Sequence, residues 1–407
     1  MSETTLLPKS TLASEAYSGR ISKTASYYAA FVALGLVSAS LGPTLPNLAA
    51  NTQTQLHQIS ILFTARSLGY LIGSLLGGRL YDRAPGHPVM ALMLAAIVIM
   101  MTLVPLMSLL WVLFMVLLIL GSAEGALDVG GNTLLVWVHR DKVGPFMNAL
   151  HFFFGVGAFL APLIVAQALL INGNITWAYW ILALLILPVT FWILRLPSPP
   201  IQTISKDDPT GRVNHWLVAS IAFFFFLYVG AEISFGGWIF TYAVSSKVAG
   251  ETVAAYLTSA FWGALTIGRL LAIPIATRFR PRFILLADLI GCIASVSLML
   301  IWPASLTVAW LGALGLGLSM ASIFPTTLSL AERRMTITGQ VTSLFFVGAS
   351  SGAMFLPWLI GQLLDSIGPH VVMIGIVIDL ILALMIFLGL ISRSAHITPP
   401  TASQIKS

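Results

Sequence analysis

Runs of about 20 mostly apolar residues recur along the whole chain, each bounded by a short polar or Pro/Gly stretch. Helices of that length match the hydrocarbon thickness of a bilayer. The pattern predicts twelve membrane-spanning helices, at 27–50, 58–80, 89–108, 111–138, 146–171, 177–195, 216–244, 253–277, 283–303, 306–331, 339–364 and 371–391. One long polar connection, from Leu196 to His215, carries Pro197, Pro199, Pro200, Lys206, Asp207, Asp208 and Gly211, and it divides the spans six and six. The expected organisation is an N-terminal tail at 1–26, a six-helix bundle at 27–195, a linker at 196–215, a second bundle at 216–391 and a tail at 392–407.

An internal repeat supports that division. Gly157-Ala158, Pro162 and Gln167 of the fifth span recur as Gly352-Ala353, Pro357 and Gln362 of the eleventh, and Gly35 and Gly42 of the first span as Gly230 and Gly237 of the seventh, all 195 residues apart. Gly78-Arg79-Leu80 also matches Gly268-Arg269-Leu270, 190 residues on. Two non-inverted six-helix repeats are one of the known transporter plans, with solute held between the halves near mid-membrane.

Composition agrees with an all-α integral membrane protein. Of 407 residues 58% are hydrophobic and 8% charged, against about 25% charged in soluble domains. The formal charge of +6 does not point to nucleic acid once the basic residues are placed. Alternate connections put seventeen of the 20 Lys and Arg on one side and only Lys247 on the other, with Arg66 and Arg269 inside spans. By the positive-inside rule both termini and the linker are expected to be cytoplasmic. The single Cys292 lies in an apolar run and leaves no internal disulfide or cysteine metal cluster to form. The first 26 residues have no apolar core, so no cleavable signal peptide is expected.

Ionisable residues inside the spans change the picture from structure to chemistry. The fourth span contains Glu124, Asp128 and Asn132, four apart, which at 100° per residue make one polar stripe flanked by glycines. An acid at bilayer depth costs about 2.5–3.5 kcal/mol on insertion scales, so such residues mark solute or cation paths; the alternative is a hydrogen-bonded cluster between helices. The seventh span brings Glu232 to a similar depth, among Tyr228, Phe235, Trp238 and Tyr242. Carboxylates and amides beside aromatic faces suit a sugar, and they also suit a cationic drug. In the tenth span Ser322, Phe324, Pro325, Thr326 and Thr327 predict a kink beside a cavity. His151 and Asp379 are further ionisable groups in spans; Arg269 could neutralise Asp288 or Glu332, and Arg66, near an outer end, is expected to snorkel. The turn Gly78-Arg79-Leu80-Tyr81-Asp82-Arg83 places an acid between bases at a membrane edge, where it could lock one conformation.

At these residues the chain resembles the major facilitator superfamily, whose signature after the second helix is matched by Gly78, Leu80, Asp82, Arg83 and Gly86, with one residue inserted and His87 in place of a base. The runs Leu127-Asp128-Val-Gly-Gly-Asn132, Leu150-His151 to Gly157-Ala158, Tyr228-Val-Gly-Ala-Glu232 with Trp238, and Ile323-Phe324-Pro325-Thr326 resemble the fucose permease and sodium-dependent glucose transporter group. The resemblance implies the major facilitator fold and cation-coupled uptake of a monosaccharide such as glucose or fucose, by alternating access around a central site. It implies sugar contacts at Asp128, Asn132, Tyr228, Glu232, Trp238 and Phe324, cation coupling at Glu124, Asp128 and Glu232, and gating at Gly78, Asp82 and Arg83. No cofactor is implied beyond the coupling ion, H⁺ or Na⁺, with Na⁺ at Glu124 and Asp128. The helix 1 aspartate of the fucose permeases is missing, leaving Ser38, Ser40, Thr44 and Asn47 as polar candidates there. The implied partners are a small solute and the lipid bilayer, with no nucleic acid, and the implied unit is a monomer in a bacterial inner membrane or a plasma membrane. Two other readings remain: a proton-driven exporter of lipophilic or cationic compounds, and a non-transporting sensor or scaffold. An enzyme is not expected, since no phosphate loop, metal-ligand cluster or nucleophile-base pair is present.

Overall fold

The computed structural model describes residues 9–201, 215–335 and 339–394. Most of the linker, with Lys206, Asp207, Asp208 and Gly211, the first eight residues and the tail from 395, with Lys406, lie outside the described residues. Within them the chain forms α1 (Lys9–Ser38), α2 (Leu41–Asn51), α3 (Leu56–Ile59), α4 (Ile61–Tyr81), α5 (Gly86–Leu103), α6 (Leu110–His139), α7 (Gly144–Asn172), α8 (Ile175–Arg195), α9 (His215–Ser245), α10 (Glu251–Arg278), α11 (Pro281–Ile301), α12 (Leu306–Met320), α13 (Ile323–Glu332), α14 (Gly339–Ile367) and α15 (Val371–Ser394). Eleven helical stretches are long and apolar enough to cross a bilayer, and the pair Gly19–Ser38 and Leu41–Asn51, bent by 45°, makes a twelfth span. All twelve expected runs are therefore helical.

The first span begins before its apolar run because the helix continues through a polar lead, where the Thr24 hydroxyl bonds the Arg20 carbonyl and, at 2.7 Å, the His139 ring. It breaks at Ala39 and Ser40 because Pro43 has no N–H to return to the Ala39 carbonyl. The tenth span breaks between α12 and α13 for the same reason: Pro325 cannot donate to the carbonyl of Ala321. Ser38 at the first break and Ala321 and Ser322 at the second line the cavity between the bundles.

The helices form two bundles of six spans. In the first, α4 packs on α6, α1 on α7 and α5 on α8; in the second, α9 packs on α14, α10 on α12 and α11 on α15. The repeat seen in the sequence becomes two equivalent crossings. A Cβ on Gly157 would fall on the Val32 carbonyl and one on Gly35 on the Phe154 carbonyl, so α1 and α7 meet backbone to backbone. One on Gly352 would fall on the Phe226 carbonyl and one on Gly230 would stand 3.2 Å from that of Gly352, the same contact between α9 and α14. The second match, 190 residues apart, is not structurally equivalent: Arg79 lies in the last turn of α4, whereas the last turn of α10 holds Arg278 and Arg269 sits well inside. The halves meet through α7 on α10, α4 and α3 on α14, and α2 on α9.

Candidate functional site

Between the bundles lies a cavity of about 1030 Å³. Its wall runs from Phe63 and Trp262 at the deep end to Leu75, Ala276, Pro281 and Arg333 near the ends of their helices, so it opens toward the end of the molecule that carries Arg79, Arg83, Arg278 and Arg280. The opposite end is sealed. There His57 presents its backbone N–H at 3.0 Å and its Nδ1 at 2.7 Å to Asp365 Oδ2, and Gln362 donates to the His57 carbonyl at 2.7 Å. Deeper, the Trp238 indole N–H donates to the Pro357 carbonyl at 2.9 Å and its ring packs on Phe63, centroids 5.4 Å apart. Gly42 of α2 lies directly on the backbone of Gly236 and Gly237 in α9.

The first bundle's wall is built where α4 crosses α6. Gly69 and Gly73 on one helix and Gly121 and Gly125 on the other bring the backbones together, and pairs 58 residues apart meet across the crossing. Arg66 donates from Nε to Glu124 Oε2 and from Nη2 to Oε1, both at 2.7 Å. It also donates from Nη1 to the Ser38 carbonyl at 3.0 Å, the acceptor left over at the break in the first span, and from Nη2 to Ser38 Oγ at 2.9 Å. One turn on, the Tyr70 hydroxyl bonds Asp128 Oδ2, while Asn132 Nδ2 donates to Asp128 Oδ1 at 3.1 Å and to the Asp128 carbonyl at 2.9 Å.

Two expectations are corrected here. Arg66 does not snorkel to an outer face; it is turned inward and forms a forked ion pair, its side chain 17% exposed against 0% for Glu124. The polar stripe is also not uniform. Each step of four residues turns about 40° round a helix, so Asp128 and Asn132 line the cavity while Glu124 lies behind, already neutralised by Arg66. Neither Arg66 nor Tyr70 was singled out as a partner for the acids, although Arg66 and Tyr70 repeat the four-residue spacing of Glu124 and Asp128, and the glycines beside them announce the crossing.

In the second bundle Glu232, Arg269, Phe324 and Ser322 line the cavity, and the Arg269 charge acts on both Glu232 and His151. Arg269 does not neutralise Asp288 or Glu332, as expected from sequence: Asp288 accepts the Ser322 hydroxyl at the break between α12 and α13. Of the aromatic residues around Glu232, Tyr228 keeps its hydroxyl beside the carboxylate and the others face elsewhere. Tyr228 is buried and donates to the Met320 carbonyl at 3.1 Å, Trp238 belongs to the seal, Phe235 packs on Phe261 with centroids 4.8 Å apart, and Tyr242 lies near His370. Tyr228 and Trp238 therefore do not line this cavity, whereas Trp262 of α10, not foreseen, does. His151 lines it too, edge-on to Phe31 at 5.8 Å. Asp379 is buried in α15 away from the cavity, with Oδ2 unpartnered.

At the basic end, Asp82 and Arg83 are exposed and Gly78 is partly so, and no ion pair of theirs is formed among the described residues. The inserted turn delivers His87 into the protein instead. It is fully buried, with Nε2 2.8 Å from the Tyr27 hydroxyl, Nδ1 2.9 Å from the Leu196 carbonyl and its backbone N–H donating to Ser198 Oγ at 3.0 Å. The ring thus fastens the start of the linker to the first bundle.

Residues 27–357 match the family profile described as Major Facilitator Superfamily. The chain is 34% identical over 355 residues to sodium-dependent glucose transporter 1 of Xenopus laevis, covering 80% of this chain and 72% of that protein. It is 32% identical over 373 residues to sodium-dependent glucose transporter 1 of Homo sapiens, with 82% and 72% covered. Major facilitator superfamily domain-containing protein 4A of Homo sapiens is 27% identical over 448 residues, with 85% and 87% covered. Among solved structures the fold is shared with nucleoside transporter NupG, at a TM-score of 0.69 and 13% identity over 92% of this chain and 98% of that one. It is also shared with a bacterial homolog to the human lysosomal transporter Spinster, at 0.73 and 12% over 94% and 98%. Twelve spans in two bundles around one central cavity, and these relatives over most of the chain, lead to one conclusion: this chain is a multi-pass membrane transporter that belongs to the Major Facilitator Superfamily, in the group that includes sodium-dependent glucose transporter 1.

Proposed function

We propose that this transporter carries a monosaccharide, glucose-like or fucose-like, in symport with Na⁺ or H⁺ by alternating access. The observation that carries the reading is the cavity wall itself. From opposite bundles, Asp128 with Asn132 and Glu232 with Phe324 line one chamber, closed by residues at one end and open at the other. Carboxylates and an amide accept hydrogen bonds from neighbouring hydroxyls, and the Phe324 ring offers a face to the C–H side of a sugar. The names of the relatives point the same way, since sodium-dependent glucose transporter 1 is named for both glucose and sodium.

The coupling logic is electrostatic. A carboxylate facing a closing cavity without its cation is costly, so rocking between states is favoured with solute and cation both bound or both absent. Asp128 and Glu232 are the acids that face the chamber; Glu124 has Arg66 as its counter-ion and shapes the wall from behind. Tyr228 and Trp238 serve the site indirectly, one by holding the broken tenth span and the other by closing the far end. With the basic residues on the cytoplasmic side, the cavity opens inward, and residues 27–195 and 216–391 rock as the two halves of a monomer with both termini in the cytoplasm.

The test is uptake of labelled glucose, galactose and fucose into vesicles containing the purified protein, under imposed Na⁺ or H⁺ gradients. Accumulation driven by one gradient, and lost in Asp128→Asn and Glu232→Gln, is the expected result and names the ion. If neither gradient drives any sugar, and the variants bind sugars as wild type does, the monosaccharide reading is wrong.

A further inference from the structure

We infer that Arg66 is a specificity-determining residue of the solute site, supplying the one fixed hydrogen-bond donor on the wall around Asp128. The inference rests on the monosaccharide reading and adds to it which group on the protein recognises a hydroxyl oxygen, as opposed to a hydroxyl proton.

The argument is a count of donors. An arginine has five N–H groups in a rigid fork. Four of those on Arg66 are committed: Nε to Glu124 Oε2, one Nη2 hydrogen to Glu124 Oε1, the other to Ser38 Oγ, and one Nη1 hydrogen to the Ser38 carbonyl. Among the described residues the fifth, on Nη1, has no acceptor, and Arg66 lines the cavity. Most of the other polar groups close by have spent their hydrogens. The Tyr70 hydroxyl donates to Asp128, both Asn132 amide hydrogens go to the Asp128 carbonyl and carboxylate, Ser38 donates to Glu124 at 3.3 Å and Ser67 to the Ala353 carbonyl at 3.4 Å. What Asp128 and Asn132 still offer a solute is acceptor oxygen. Ser74 and Thr133 also line the cavity, but their hydroxyls rotate; on this stretch of α4 and α6 Arg66 alone offers a proton held in a fixed direction.

The local structure explains why that proton is well placed. The guanidinium is held at once by α6, through Glu124, and by the carbonyl exposed at the break in the first span, so its plane is fixed before solute arrives. Pre-organised groups lose little freedom on binding. The pair with Glu124 leaves the fork without net charge, which suits a neutral polyol and gives no advantage to an anionic one. A hydroxyl whose oxygen accepts from Arg66 can donate its own hydrogen to Asp128, so the wall reads one hydroxyl in both senses.

The test uses monodeoxy and monofluoro sugars as competitors of labelled sugar uptake by the reconstituted full-length protein. A fluorine accepts a hydrogen bond but cannot donate one. In wild type, one ring position is expected at which the deoxy analogue binds about 10- to 150-fold worse, the size of a hydrogen bond to a charged group, while the fluoro analogue retains most of the affinity. In Arg66→Lys, whose ammonium keeps the charge but not the fork, and in the neutral double variant Arg66→Gln/Glu124→Gln, the deoxy penalty at that position alone is expected to vanish. A deoxy and fluoro profile in either variant identical to wild type, with only the maximal rate changed, assigns Arg66 a purely structural role and overturns the inference. So does a wild-type profile with no position at which fluorine rescues, a readout that needs no variant to fold. Both leave the proposed function standing; that reading falls separately, if wild type takes up no sugar at all.

Discussion

Gly42 offers the sharpest test of which contacts seal the far end. It lies where α2 of the first bundle crosses α9 of the second, and a methyl group there would stand 2.6 Å from the Gly236 carbonyl oxygen and 3.0 Å from both Cα and O of Gly237. All three neighbours are backbone, so no side chain can swing aside; α2 must withdraw from α9. Overpacking of this kind costs about 1–3 kcal/mol. The cost falls only on the state in which this end is closed, because the clash lies between bundles and disappears when they part. Gly42→Ala should therefore shift the population toward the state open at this end by about 5- to 150-fold. The assay is labelling of a cysteine replacing Ala353, which lines the cavity near the seal, in a background where the buried Cys292 is replaced by serine. An impermeant maleimide added from the sealed side should react faster with Gly42→Ala than with its parent, and more slowly from the basic end. Gly35→Ala is the control. Its methyl would come within 2.7 Å of the Ala158 nitrogen inside one bundle, so the clash persists in both states and should lower stability without changing the ratio of labelling from the two sides. Equal labelling of the Gly42→Ala protein and its parent, in folded protein, would refute the idea that this crossing belongs to the closed end alone.

Other consequences follow from the same contacts. Glu124→Gln leaves Arg66 a buried cation without its counter-ion, a loss of about 3–5 kcal/mol that should show as a large drop in thermal unfolding temperature in detergent, with most of it regained in Arg66→Gln/Glu124→Gln. Asp365→Asn removes the charge that meets His57; because both side chains are about a third exposed, the change should be worth about 0–1 kcal/mol and appear as a small, salt-sensitive rise in labelling from the sealed side. Trp238→Phe leaves the Pro357 carbonyl without its indole partner and should weaken the same seal by about 1 kcal/mol, read by the same labelling assay.

The spans, their number and the two-bundle plan were legible because a membrane-crossing helix needs a long apolar run and nothing else in the chain imitates one. The glycine repeat was legible for a related reason: a backbone-to-backbone crossing tolerates only a hydrogen at that place, so Gly35 with Gly157 and Gly230 with Gly352 leave the same mark twice. Partnerships were harder. Depth along a helix can be counted, but the direction a side chain faces depends on its neighbours. Arg66 reads as close to an outer end until α6 is laid against α4 in register, at which point its only low-cost position is on Glu124. Tyr228 and Trp238 reach the depth of the cavity, but both are held by backbone carbonyls, Tyr228 by that of Met320 at the break in the tenth span and Trp238 by that of Pro357 within α14. His87 looks like a lost base in a signature turn, and the inserted residue that displaces it also carries it into the linker contact.

The carbonyls left over at the two breaks tie the halves of the site to one physical rule. A break in a membrane helix is tolerated only where the orphaned backbone group finds another partner, and each broken span here has one from a neighbouring helix: Arg66 on the Ser38 carbonyl in the first bundle, Tyr228 on the Met320 carbonyl in the second. Tyr228→Phe keeps the ring and its packing and removes the hydroxyl, and with it both the bond to the Met320 carbonyl and the contact with Glu232. Leaving a buried acceptor unsatisfied costs about 1–3 kcal/mol, and the segment that absorbs it is the break leading directly into Phe324 and Pro325 on the cavity wall. Unfolding temperature should fall by the modest amount that figure implies. Solute transport should fall further, because the wall moves with the break. The comparison of thermal unfolding with initial uptake rate separates the two effects. If Tyr228→Phe lowers both only in proportion, the carbonyl bond stabilises the bundle without placing the wall; if it changes neither, the Met320 carbonyl is satisfied by another donor and the rule fails at this break.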